Sequence, residues 1–234
     1  MIIHVLDTET TGLEPETHRV IELAAVELVE VEPGSWKIGD GRDSLVNPHR
    51  EISFEAMGVH HIQNKDVAEA PDLDEAIERV LSPTWRETVD IVAGHNCRFD
   101  RDMLAPLRDK RWLDTYRCAM HVWPDAPNFK NGTLFYWSGC TDAGVPRAHS
   151  SLFDAHMTAH ILIKLLSLRS VDDLLRLSTK ACVLKKVGFG KHFGKLWTEV
   201  DFGYLEWAAK NITDDPDVKF TVRTEIDRRQ SGRR

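Results

Sequence analysis

The sequence predicts an α/β fold, a mixed sheet flanked by helices, and three observations carry that expectation. Three segments that read as strands, joined by short connections, open the chain: Ile2 to Leu6, Val20 to Val31, and roughly Lys37 to Asn47, the last interrupted at Gly39-Asp40-Gly41. Short links between strands favour an antiparallel meander. Apolar residues then recur at helical spacing around Asp72 to Leu81 and again from Ser151 to Leu168, which predicts amphipathic helices there. Between them a fourth apolar run, Asp90 to Ala93, meets a Gly and Asn turn and leads into a helix from Asp100 to Leu107; a shorter fifth strand lies near Trp112 to Thr115.

Length and composition set the bounds. A chain of 234 residues with 42% apolar content builds one large domain plus a small appendage. Beyond about Ser170 the character changes to a short amphipathic helix followed by a glycine, lysine and aromatic stretch, Val187 to Lys195, and by Tyr204-Leu205-Glu206-Trp207. The glycines read as tight turns in a small strand-rich unit, with Tyr204 and Trp207 as its core. A second reading has Lys191, His192 and Lys195, with the Phe side chains, gripping a nucleic-acid strand. A phosphate loop is excluded, because Leu196 follows Lys195 where GxxxxGK[ST] needs a hydroxyl residue.

The net charge is −7, which argues against a phosphate-rich partner until its distribution is considered. From Lys180 to the end there are 12 Lys plus Arg against 8 Asp plus Glu, whereas the preceding residues carry 18 against 29. Cys97, Cys118, Cys140 and Cys182 show neither CxxC pairing nor zinc spacing, as expected of reduced thiols. The chain opens directly on a strand and no apolar run reaches the length of a membrane span, so a cytoplasmic protein without membrane contact is expected.

The chemistry begins in Asp7-Thr8-Glu9-Thr10-Thr11-Gly12-Leu13, directly after the first strand. Strand side chains alternate faces, so Asp7 and Glu9 project to one side, where their charges repel unless a cation neutralises them. Hard divalent ions such as Mg²⁺ or Mn²⁺ prefer such oxygen donors. Asp7 also reads as a turn residue and helix cap, with the threonines and Gly12 as loop composition. Two later strings decide between these. His95-Asn96-Cys97-Arg98-Phe99-Asp100 delivers Asp100 at a helix start, and His149-Ser150-Ser151-Leu152-Phe153-Asp154 opens the long amphipathic helix.

Together the three strings resemble the motifs of the DEDDh family of 3′ to 5′ exonucleases, with Cys97 and Ser151 standing where Ala is common. The resemblance implies a ribonuclease H-like fold and phosphodiester hydrolysis with two Mg²⁺ ions, for which Mn²⁺ substitutes. It implies that Asp7 bridges both ions, that Glu9 and Asp154 serve the first and Asp100 the second, and that His149 is the general base, since imidazole titrates near neutral pH. It also implies substrate contacts: Thr10 at the 3′ hydroxyl, Leu13 wedged between the last two bases, Phe99 on that wall, Asn96 at a phosphate and His60 at the terminal nucleotide. Leu13, Phe99 and His60 also read as core or loop residues.

The pattern FGKxxGK followed by YLxW resembles the C-terminal segment of the exodeoxyribonuclease X group in that family, which favours DNA 3′ ends as the substrate. The expected organisation is an exonuclease domain over 1–170, a C-terminal module over 171–227 and a basic, disordered tail over 228–234. An RNA 3′ exonuclease, a polymerase proofreading subunit and an inactive end-binding module are the alternatives, and the chain is compatible with a homodimer. His156 and His160 have zinc-like i, i+4 spacing, but the Glu of HExxH is missing.

Overall fold

Alternation along the first strand decides which residues face which layer. β1 (Ile2–Thr10) sends Ile3 and Val5 into one apolar layer and Leu6 into the opposite one, because successive strand side chains face opposite sides. The computed structural model describes residues 1–142 and 150–231. β2 (Val20–Glu32) pairs antiparallel with β1, and β3 (Ser35–Leu45) pairs antiparallel with β2. Gly34 turns this second hairpin at φ 78°, a left-handed conformation that costs glycine little because it has no Cβ. β4 (Ile91–Gly94) and β5 (Arg111–Asp114) add in parallel on the other edge of β1, giving the order β3-β2-β1-β4-β5. The sheet is mixed, as expected.

Helices cover both faces. α1 (Phe54–His60) and α2 (Asn64–Val67) frame a small cluster of Ile21, Ile52, Ile62 and Val67. α3 (Leu73–Val80) and α4 (Trp85–Thr88) bring Ile77, Val80 and Trp85 against Leu6, Leu23 and Val92 on one face. α5 (Arg98–Met103) adds Met103 there and passes into a 3₁₀ turn at Ala105–Leu107. On the opposite face α6 (Thr115–Val122), α7 (Asn131–Trp137), α8 (Ser151–Leu166) and α9 (Val171–Thr179) pack Cys118, Phe135, Ile161, Leu165 and Leu174 against Ile3, Val5 and Val26. Among the described residues no helix is long and apolar enough to cross a membrane.

The chain divides into two compact units, Met1–Ser178 and Thr179–Arg234. Expected at 170/171, the division lies later because α9 buries Leu174 in the first unit and Ser178 Oγ accepts from the Asp114 amide at 2.8 Å. The second unit is helical rather than strand-rich: α10 (Phe202–Asn211) and α11 (Pro216–Ser231) enclose Trp197, Leu205, Val218 and Val222, and among the described residues pairing there is confined to a bridge between Lys186 and Leu196. Tyr204 belongs to this core, but Trp207 stands half exposed. The expected tail is corrected up to Ser231, since α11 continues that far and the buried Glu225 carboxylate binds both Arg228 and Arg229, at 2.7 and 2.6 Å. Residues 232–234 lie outside the described residues.

Candidate active site

Asp7 and Glu9 share the parity of Ile3 and Val5, so both point to the face that α8 covers. There they meet Asp154, in the first turn of α8, with one carboxylate oxygen from each of the three lying within 4.8 Å of the others. Thr8 has the opposite parity and donates its hydroxyl to Asp100 Oδ1 at 2.7 Å, tying α5 to the same strand end. A carboxylate cluster able to coordinate a metal ion is therefore present.

The electrostatics fit that use. Burial first, then the charges of Asp100, Asp154, Glu9 and Glu22, push the Asp7 carboxyl well above the usual range. Glu9 is pushed up to about 7 by burial and by Glu22, Asp154 and Asp100. Burial raises Asp100 to about 6, opposed by its hydrogen bond from Thr8. The forces acting on Asp7 and Glu9 are desolvation and other carboxylates, so a bound cation is the partner that stabilises their charged forms. The oxygen-only donor set suits Mg²⁺ or Mn²⁺. His156 and His160 have no third ligand among the described residues; His160 instead packs edge-on against Phe135, ring centroids 5.6 Å apart.

Residues that the sequence reading missed hold this cluster in place. Glu22 lies opposite Glu9 in the β1–β2 register and is 5% exposed. Its carboxylate accepts from the Ser151 amide at 3.0 Å and the Ser151 hydroxyl at 2.7 Å, fixing the N-terminus of α8. Asn131 donates from Nδ2 to the Asp154 carbonyl and to the Thr158 hydroxyl, both at 3.1 Å. A single acid inside the apolar run Val20-Ile21-Glu22-Leu23-Ala24 was the available signal for Glu22. Asp114 likewise holds the second motif: buried at the end of β5, it accepts from the amides of Asn96, Tyr116 and Arg117 at 3.0, 2.9 and 3.3 Å.

The expected substrate residues are held by local structure. Thr10 donates its hydroxyl to the Gly12 carbonyl at 2.8 Å, closing the turn after β1, and Leu13 beyond it is 75% exposed. Asn96 adopts φ 60° between β4 and α5, where Gly94 is required because a Cβ there would lie 2.7 Å from that of Cys97. Phe99 packs partly buried against the layer of Met103 and Leu104. His60 is buried, its Nδ1 accepting from the Ile62 amide at 3.0 Å and its Nε2 buried without a hydrogen bond. His149 lies outside the described residues.

Comparison with known proteins agrees with this geometry. Residues 4–162 match the model of the Exonuclease family (RNase T). Exodeoxyribonuclease 10 of Escherichia coli K12 is 27% identical over 230 residues, 95% of this chain and 97% of that protein. The PolC-type DNA polymerase III of Bacillus subtilis 168 is 30% identical over 175 residues, 69% of this chain but 11% of the polymerase. Among solved structures, exonuclease X in complex with 5′-overhanging duplex DNA superposes with TM-score 0.63 at 28% identity, covering 75% of this chain and 99% of that one. With the matched span running from β1 into α8 and so enclosing Asp7, Glu9, Asp100 and Asp154, the chain belongs to the Exonuclease family and is an enzyme of its DEDDh type.

Proposed function

We propose that the protein is a 3′ to 5′ exodeoxyribonuclease that releases nucleoside 5′-monophosphates from free DNA 3′ ends. The observation that carries this reading is the convergence of Asp7, Glu9 and Asp154 beside a Thr8-bound Asp100, together with likeness over nearly the whole chain to a protein named exodeoxyribonuclease 10. Asp7, Glu9, Asp154 and Asp100 would hold two divalent cations. Bound there, the ions supply Lewis acidity, lowering the pKa of the attacking water and neutralising charge on the leaving oxygen.

The chain's own residues do the rest. His149, two positions before the Ser151 that Glu22 fixes, takes the proton from the attacking water. Thr10 meets the 3′ hydroxyl and Leu13, on the turn that closes β1, wedges between the last two bases, with Phe99 on that wall, Asn96 at a phosphate and His60 at the terminal nucleotide. DNA repair or end trimming, in the cytoplasm, is the setting that follows from such an activity.

The test is a gel of 5′-labelled single-stranded DNA and RNA incubated with the protein in Mg²⁺, in Mn²⁺ and in EDTA. A ladder shortening from the 3′ end, faster for DNA and absent in EDTA, is expected. Faster shortening of RNA overturns the choice of polymer, and intact strands in Mg²⁺ and Mn²⁺ overturn the hydrolytic reading.

A further inference from the structure

The second unit carries a feature that the carboxylate site does not use. Its glycine loop curls tightly: Gly190 and Gly194 take φ 61° and 82°, and the Gly194 amide donates to the Val187 carbonyl at 2.9 Å. Both positions are left-handed, where side chains with a Cβ are strained. The curl lays the loop against α10. His192 meets the Tyr204 ring edge-on at 4.3 Å between centroids, and Lys191 Nζ stands over the same ring, 5.4 Å from its centroid. One helical turn further on, Trp207 continues the surface, its ring centroid 5.2 Å from that of Tyr204 and its plane tilted by 30°. Phe189, Lys191, Tyr204 and Trp207 line a cavity of about 490 Å³, a size typical of ligand sites.

Burial separates the structural aromatics from the presented ones. Tyr204 is 8% exposed and serves as floor, whereas Trp207 is 49% exposed and Phe193, on the same loop, is 75% exposed. Trp207 presents a large apolar ring to solvent in the same cavity wall as Lys191, a cation that already rests on an aromatic face. The acid in the wall, Asp201, caps α10, its Oδ1 accepting from the Tyr204 amide at 2.8 Å; Oδ2 lies 3.6 Å from His192 Nε2, and the exposed carboxylate also attracts Lys191, which a phosphate would have to share. The segment from Lys180 onward also carries the excess of 12 Lys plus Arg over 8 Asp plus Glu, in a chain whose net charge is −7.

An exposed ring next to a lysine, on the basic part of an acidic protein, complements a polymer that offers flat bases and a phosphate at every step. We propose that the Lys191, Tyr204 and Trp207 surface binds a single strand of DNA, with a base stacked on Trp207 and its phosphate paired with Lys191. It is a second nucleic-acid site, distinct in its residues from the carboxylate cluster. The choice of DNA as the polymer rests on the function proposed above; the stacking and phosphate chemistry does not.

The test measures fluorescence anisotropy of a 5′-labelled oligodeoxythymidine 20-mer with the full chain in EDTA, so that binding is read without hydrolysis. Trp207→Ala and Lys191→Glu are each expected to weaken binding by about 10-fold, while Trp207→Phe, which keeps a ring for stacking, stays within about 3-fold of the parent. Circular dichroism confirms that each variant is folded. Unchanged affinity in both Trp207→Ala and Lys191→Glu overturns the proposal and leaves the surface to a protein partner. Tighter binding of an oligouridine 20-mer overturns the choice of DNA. Because the readout is metal-free binding, a chain that fails to cleave DNA leaves this result standing, and loss of this site leaves the cleavage test standing.

Discussion

Burial and mutual repulsion both favour the neutral forms of the Asp7 and Glu9 carboxyls. A carboxyl whose folded pKa is raised binds protons more readily in the folded state, so its contribution to stability is lost as pH rises through the window between unfolded and folded values. For Glu9 that window runs from 4.5 to about 7. In EDTA these carboxyls act to lower the melting temperature between pH 5 and pH 8, opposed up to about pH 6.5 by His4 and His95, whose imidazoles burial lowers to about 4, and a net fall is expected. Mg²⁺ competes with protons for the same oxygens and should raise the melting temperature more at pH 8 than at pH 5. Thermal scans at the two pH values, with and without metal, check both statements; a metal-free melting temperature that climbs with pH contradicts them. Asp7→Asn separates stability from activity at one atom. It replaces a carboxyl whose charged form burial and its neighbours disfavour, so the metal-free protein should melt no lower than the parent, while hydrolysis should fall by at least about 100-fold, because the substitution removes charged metal-ligand capacity at the cluster.

At the scale of the element, α8 must present Asp154 to β1 within narrow limits, and Glu22 fixes its first turn through both polar groups of Ser151. Glu22→Ala leaves a buried amide and a buried hydroxyl without their acceptor, which should cost about 1–3 kcal/mol in a denaturant titration. It should also depress hydrolysis, with full-length fold retained by circular dichroism; undiminished activity would separate α8 anchoring from catalysis. This bond joins residues 129 apart in sequence, which is why it was not legible there, whereas Asp7, Glu9, Asp100 and Asp154 announced themselves through contiguous strings. The first unit was legible for a similar reason. α3 lies within a residue of its expected bounds, with Ala76, Ile77 and Val80 buried on one stripe. α7 was invisible because its exposed face carries Tyr136 and Trp137, which erase the apolar period. In the second unit glycine and aromatic content suggested strands, since aromatic residues favour them. The buried stripe of α11, however, is Val218, Thr221, Val222 and Glu225, helical in spacing but half polar.

At the scale of the whole molecule, the two units have separate interiors. The apolar layers on the two sheet faces and the cluster around Ile21 draw their residues from within Met1–Ser178, while Val187, Trp197, Leu205 and Val222 pack with neighbours from the second unit. A unit of that first size lies well inside the range in which a chain buries enough surface to fold alone. Ser178 is needed, because its hydroxyl accepts from the Asp114 amide and donates to the Leu174 carbonyl, so the informative truncation ends at Lys180 rather than at the expected boundary of 170. The fragment Met1–Lys180 should unfold in one cooperative transition and keep metal-dependent cleavage of single-stranded DNA, since all four carboxylates and their supports Glu22, Asp114 and Asn131 are included. A fragment ending at residue 170 should melt lower, because Leu174 leaves a hole in the layer over Ile161 and Leu165. Thermal melts and a cleavage gel on the two fragments test this division. Loss of the cooperative transition in Met1–Lys180 would show that the first unit depends on the second for its stability.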